Sequence, residues 1–228
     1  MFRYYGRKTS YVDKYPPPKH KTIIEPFAGS ASYSMFYHEN NVILIEKDEV
    51  IFKIWKYLIE KATPRRILKL PIIKLNERTT DKKYEWVKPV EKDLIGFFIN
   101  SACPYPATKP TPNKGYNKWN EKNRKILSEN VKKIKHWKIY HSDYKDIKNK
   151  KATWFIDPPY SGKGGKSYRC SNKYIDYKEL SKWVKTRKGQ IIVCENEEHT
   201  KWLPFKPLVN KKQNNVRHIE MIYHKNNL

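Results

Sequence analysis

The stretch Thr153-Trp154-Phe155-Ile156-Asp157-Pro158-Pro159-Tyr160 decides how this chain folds. Its first four residues form a short apolar run, which reads as a strand buried on both faces. The strand cannot pass through the prolines, which lack a ladder donor and hold φ fixed. The chain therefore leaves the strand's C-terminal end stiffly, carrying a carboxylate, two rigid residues and an aromatic ring. Those groups make a platform for a planar amino group. Asp157 and a backbone carbonyl can accept its two N–H bonds while the Tyr160 ring stacks on the plane behind it. Asp-Pro also starts ordinary turns, so the reading takes its weight from the surrounding chain.

Upstream, Thr22-Ile23-Ile24 reads as a buried strand that ends in the turn Glu25-Pro26-Phe27-Ala28-Gly29-Ser30-Ala31. A helix bearing Tyr33, Phe36 and Tyr37 follows, then the strand Val42-Ile43-Leu44-Ile45, ending on Glu46. Val50, Ile51, Ile54, Trp55, Leu58 and Ile59 recur at helical spacing. Strand, helix, strand, helix in that order predicts a parallel α/β sheet. The pattern breaks after Ala62. Residues 103–115 carry four prolines and read as an extended surface loop. Helical periodicity returns over 120–134, with Ile126, Leu127, Val131 and Ile134. The sheet resumes at Trp137-Lys138-Ile139-Tyr140 and at 153–156. Tyr177, Leu180, Trp183 and Val184 suit a helix, and 190–194 suits a strand. Alternation at Ile219, Met221 and Tyr223 predicts a terminal hairpin, with Asn214-Asn215 as its turn. Residues 1–62 and 135–228 are thus expected to form one α/β domain, with 63–134 inserted into it.

Glu46 lies 21 residues after Glu25, where nucleotide-binding α/β folds place an acid that accepts ribose hydroxyls; Asp48 is the nearest alternative. Gly29 lets a ligand approach the turn's backbone closely. No GxGxxG pattern follows it and no phosphate-loop Lys-Ser/Thr occurs, so a nucleoside-type ligand fits better than a dinucleotide or ATP.

The chain has 228 residues, 48 Lys+Arg and 23 Asp+Glu, a net charge of +25. That balance points to a polyanionic partner. The large excess of lysine over arginine, together with abundant asparagine, is also what an AT-rich coding sequence yields without selection for binding. No apolar run approaches a membrane span, and the N-terminus lacks a secretory apolar core. The cysteines Cys103, Cys170 and Cys194 have no metal-type spacing, and three of them suit a reducing, cytoplasmic setting. No membrane partner and no metal are expected.

These motifs, in this order, resemble the amino-directed DNA methyltransferases, specifically the adenine-N6 group of Dam-type enzymes and their phage relatives. The resemblance rests on Tyr4-Tyr5-Gly6-Arg7-Lys8, Glu25-Pro26-Phe27-Ala28-Gly29-Ser30, Glu46, His141-Ser142-Asp143-Tyr144, Asp157-Pro158-Pro159-Tyr160, Ile175-Asp176-Tyr177 and Val193-Cys194-Glu195-Asn196. It departs from the usual pattern where Arg7 stands for a glycine before Lys8, and where Ala31 stands for a second turn glycine.

The resemblance implies a Rossmann-like, S-adenosylmethionine-dependent methyltransferase fold, a largely parallel sheet with a C-terminal antiparallel hairpin and an inserted target-recognition segment. It also implies a bacterial or phage-infected host cell, a role such as restriction-modification, and a monomer or weak dimer acting on DNA. Position by position, Tyr4 and Lys8 would border the methionine end of S-adenosylmethionine. Glu25, Phe27 and Gly29 would line its pocket, Glu46 would hold the ribose, and Asp143 would lie near the adenine. Asp157, Pro158, Pro159 and Tyr160 would be the catalytic platform, with Asp157 also bordering the cofactor.

DNA contacts are expected from Arg65, Arg66, Lys109, Lys114, Asn117, Lys118, Trp119 and Arg124 in the insertion. Lys163, Lys166, Tyr168, Arg169 and Lys173 just past the catalytic motif are expected to join them. Cytosine N4 in DNA and adenine in RNA remain alternative targets. A nucleic-acid-binding module of the same fold without catalysis is the alternative from another class.

Overall fold

The computed structural model describes every residue except 101, 102, 113–116, 214, 215 and 228. Seven strands form one sheet: β1 (Thr22–Glu25), β2 (Asn41–Glu46), β3 (Lys138–His141), β4 (Ala152–Ile156), β5 (Gly189–Asn196), β6 (Lys206–Gln213) and β7 (Val216–Asn227). Their order is β3-β2-β1-β4-β5-β7-β6. The first five run parallel. β7 is antiparallel to both β5 and β6. The parallel part has the doubly wound order 3-2-1-4-5, in which ligands bind beyond the strands' carboxyl ends where the order reverses. Here that point lies between β1 and β4. The fold is the expected Rossmann-like type, a largely parallel sheet with an antiparallel C-terminal hairpin. The expected turn at Asn214-Asn215 lies outside the described residues.

Six α-helices flank the sheet: α1 (Ser32–Phe36), α2 (Glu49–Lys56), α3 (Pro64–Lys69), α4 (Pro89–Ile99), α5 (Glu121–Lys133) and α6 (Tyr177–Lys185). Their starts are chemically marked. Asp48 caps α2 by accepting from the Val50 and Ile51 amides, and Asp176 caps α6 by accepting from those of Lys178 and Glu179. Thr63 and Asn120 cap α3 and α5, and Pro64 sits in the first turn of α3, where its missing donor costs nothing.

Strand alternation sorts the core into two layers. Trp154 and Ile156 of β4 pack with Leu180 and Val184 of α6 and with Val193 of β5. Phe155 faces the opposite layer, together with Tyr15, Tyr33, Ile51 and Trp55.

The inserted segment is more helical and more buried than its prolines suggest. In α4, Leu94, Ile95, Phe97, Phe98 and Ile99 are all buried. They belong to the same apolar cluster as Ile23, Val42 and Leu44 of the sheet. A uniformly apolar half-helix shows no helical period, which hides α4 from a periodicity reading. The loop that follows is docked on this helix. A Cβ on Gly96 would come within 2.7 Å of the Ala107 carbonyl oxygen, so the close approach depends on glycine there.

Candidate active site

The C-terminal ends of β1, β2 and β4 converge on a cleft of about 890 Å³, open solvent at its mouth included. Tyr4, Lys8, Glu25, Phe27, Gly29 and Glu46 line it, as do Asp143, Asp157, Pro159 and Tyr168. All the expected cofactor positions therefore share one cavity.

One end is built by Glu46. One of its oxygens accepts from the Gly29 amide at 2.9 Å, the other from the Asp48 amide at 2.8 Å. Burial pushes its carboxyl up to about 7, against the pull of those amides. Glu25 accepts from the Ser34 amide at 2.8 Å, and burial raises it to about 8. The Phe27 and Tyr144 rings pack 5.3 Å apart beside Asp143. Asp143 is part-buried, but Lys47 at 2.7 Å and the Lys145 amide hold it below the ordinary range. Together these groups offer acceptors for hydroxyls and amines beside an aromatic wall, which fits a nucleoside-type cofactor such as S-adenosylmethionine.

The other end is Asp157. Its side chain keeps 22% of its surface, and its Oδ1 lies 3.1 Å from the Lys8 Nζ. Burial pushes Asp157 up to about 6, with Lys8 opposing and Glu220 adding to the rise. Lys8 is buried, which alone would lower its pKa, yet Asp157 and Glu220 beside it drive it well above its usual value. It is therefore a fixed cation and cannot serve as a base. Its Nζ also donates to the Tyr160 hydroxyl, and that hydroxyl donates to Glu220 Oε1 at 2.6 Å.

The backbone after Asp157 is clamped from several directions. The Tyr177 hydroxyl donates to the Pro159 carbonyl at 2.5 Å. Asn172 Nδ2 donates to the carbonyls of Tyr160 and Gly162. Glu195, fully buried at the end of β5, accepts from the Ser161 amide and hydroxyl. A Cβ on Gly165 would fall 1.8 Å from the Tyr160 carbonyl oxygen. Asn172 and Glu220 are contributors that motif reading missed. Tyr177 and Glu195 belong to stretches that carry the resemblance.

Of the two departures, Arg7 does not occupy a left-handed conformation, whereas Ala31 does, at φ 44°. The Gly6 turn supplies the positive φ before Lys8. A Cβ on Gly6 would run into the Tyr168 hydroxyl, so the Tyr5-Gly6 backbone packs beneath Tyr168.

The positions expected to touch DNA divide by environment. Arg65, Lys109, Lys163, Lys166 and Lys173 are exposed, and Lys118 is half-buried. Four others have partners within the fold. Trp119 is 1% exposed and donates to the Pro71 carbonyl at 2.7 Å. Arg66 makes a two-point pair with the buried Glu91. Arg124 caps the end of α3 at the Leu68 and Leu70 carbonyls. Asn117 accepts from the Trp119 amide. These contacts give all four a structural role within the fold. Arg169 pairs with Asp48 at 3.1 Å, Tyr168 packs on Tyr4 and Tyr5, and Lys114 lies outside the described residues.

Among the described residues no helix is long and apolar enough to cross a membrane, and no group of three His, Cys, Asp or Glu could hold a metal ion. The chain matches no protein-family model and no curated protein. Among solved structures it is similar to the rRNA methyltransferase AviRa from Streptomyces viridochromogenes, at 10% identity and a TM-score of 0.40, over 94% of this chain and 80% of that one. A likeness that distant bears on no activity; the strand order above defines the fold by itself.

Proposed function

We propose that this protein is an S-adenosylmethionine-dependent methyltransferase that methylates the N6 amino group of adenine in DNA. One observation carries the reading: the carboxylate of Asp157 lines the same cleft as Glu46, Gly29, Phe27 and Asp143, on a backbone whose Pro159 and Tyr160 carbonyls are already engaged. Asp157 and, by the resemblance, the Pro158 carbonyl are the acceptors for a substrate amine. S-adenosylmethionine, held along Glu46, Gly29, Phe27 and Asp143, supplies an electrophilic methyl on a sulfonium.

An exocyclic amino nitrogen is a poor nucleophile, because its lone pair is delocalised into the ring. Asp157 and the Pro158 carbonyl accept its two N–H bonds and favour a pyramidal nitrogen whose lone pair faces the methyl. Positive charge develops on that nitrogen as its bond to carbon forms, and the negative Asp157 stabilises it. The nitrogen then loses a proton, so the products are the N-methylated base, a neutral thioether and one proton. The Tyr160 ring stacks on the extruded base, worth roughly 1–3 kcal/mol, against an extrusion cost of a few kcal/mol. The net charge of +25 favours a nucleic acid over a protein amide as the substrate. An aspartate at position 157, in place of Asn or Ser, favours adenine over cytosine.

The test is transfer of labelled methyl from S-adenosylmethionine to double-stranded DNA, single-stranded DNA and RNA, followed by nucleoside mass spectrometry. N6-methyladenine in DNA, lost in Asp157→Ala with cofactor binding kept, is the expected result. Product only on RNA, only N4-methylcytosine, or no cofactor binding at all would overturn it. Activity should also fall below about pH 6, where Asp157 takes up a proton.

A further inference from the structure

Glu220 is an acid at a buried position of the sheet. It lies in β7, opposite Asn196 of β5 and Val209 of β6. An enclosed carboxylate is costly unless its oxygens are fully used. Here they are. Oε1 accepts from the Tyr15 hydroxyl at 2.6 Å and the Tyr160 hydroxyl at 2.6 Å, and lies 3.5 Å from the Lys8 Nζ. Oε2 accepts from the Tyr11 hydroxyl at 3.1 Å.

We propose that Glu220 is a positioning residue for methyl transfer: it anchors the Tyr160 hydroxyl and takes a share of the Lys8 ammonium, which leaves Asp157 able to accept from the substrate amine. The inference rests on the role given to Asp157 above. Lys8 paired with Asp157 alone would neutralise the acceptor that the reaction needs. With two carboxylates around one ammonium, the group keeps one net negative charge facing the nitrogen that becomes positive. The same carboxylate fixes the far end of the Tyr160 ring, so the stacking surface is set before a base arrives.

Groups from several elements face Asp157. Lys8, Glu220 and Glu195 are its ionisable neighbours. The phenols of Tyr11, Tyr15, Tyr160 and Tyr168 and the Cys194 thiol are all held above their ordinary range by burial, and so stay neutral. Removing the Glu220 charge should therefore act on Asp157 in two ways, by lifting a direct repulsion and by freeing Lys8, and both lower its midpoint.

The experiment pairs the Asp157 side-chain carboxyl titration, followed by 13C NMR on the full chain, with steady-state kinetics for wild type and Glu220→Gln. In wild type Asp157 should titrate near 6. In the variant the midpoint should drop by about one unit, and the acid limb of kcat should drop with it. The variant's kcat should be about tenfold lower or worse, with KM for nucleic acid within about twofold. An unmoved midpoint in a folded variant overturns the inference, and so does a loss confined to KM or to thermal stability, which a mere tie between hairpin and N-terminal segment would give. If wild type is inert on every nucleic acid, the proposed function fails, while the titration still decides whether Glu220 shares Lys8. If Glu220→Gln does not fold, Tyr160→Phe cuts the same link from its other end. Its kcat should fall while KM for nucleic acid stays within about twofold, and an unchanged kcat overturns the proposal.

Discussion

The Gly29 amide donates to the Glu46 carboxylate across 2.9 Å, tying the turn after β1 to the end of β2. The second Glu46 oxygen takes the Asp48 amide, and Asp48 in turn caps α2. One side chain thus holds both walls at that end of the cleft.

Glu46→Ala should lose more than a ligand contact. It leaves two inward N–H donors without their acceptor, at about 1–3 kcal/mol each where water does not replace it. Thermal unfolding should show a clear drop in Tm, and calorimetry should show S-adenosylmethionine binding weakened at least about tenfold. Glu46→Gln should recover only part of the Tm and little of the affinity, because its amide nitrogen cannot accept from the second backbone N–H. Equal recovery of both would limit Glu46 to holding the turn.

Glu25 makes a pH prediction with a definite sign. Its carboxyl titrates near 8 in the folded chain, against an ordinary 4.5. Below about 4.5 the acid is neutral whether folded or not, and its full contribution is present. Between about 4.5 and 8 the unfolded chain gives up the proton first, so stability from this group is lost as pH rises. Glu25→Gln cannot ionise. It should match wild type at about pH 4.5 and exceed it at pH 8, by about 2–4 °C in Tm per kcal/mol regained. Parallel Tm curves from pH 4.5 to 8 would show that Glu25 is not held neutral.

Gly165 tests the clamp on the catalytic backbone. An added methyl would overlap the Tyr160 carbonyl and crowd Asn172, which bonds that same carbonyl. Gly165→Ala should cut methyl transfer by about 100-fold, the scale of a roughly 1 Å misplacement. S-adenosylmethionine binding should change much less, since the Glu46 end of the cleft is untouched. A variant of full activity would mean that this loop does not set the Tyr160 position.

The strands were legible because burial on both faces leaves short apolar runs, and the Asp157 motif was legible because prolines end a strand visibly. Two kinds of information were not. The first is α4, where Phe97, Phe98 and Ile99 are all buried, so no polar face marks the helical period. The second is long-range. Glu220 reaches the site because β7 slots between β5 and β6, and nothing near it in sequence signals a partner more than 200 residues away at Tyr15. The same limit explains the insertion. Arg66 and Arg124 look like any basic surface residue until Glu91 and the end of α3 are seen beside them.

That division separates two groups of variants that composition alone treats alike. Lys163, Lys166 and Lys173 are exposed on the loop after the catalytic motif. If they meet phosphates, each change to Ala should weaken binding to all sequences about equally and reduce the slope of log K against log salt by about one unit. Tm should barely move, as for other exposed lysines. Trp119→Ala should do the reverse. It empties a buried site and strands the Pro71 carbonyl, costing about 3–5 kcal/mol, with the salt slope unchanged in whatever fraction remains folded. Fluorescence anisotropy across a salt series, run beside thermal melts, reads both quantities. A Trp119 variant that is stable but has a shallower salt slope would return that residue to the nucleic-acid interface.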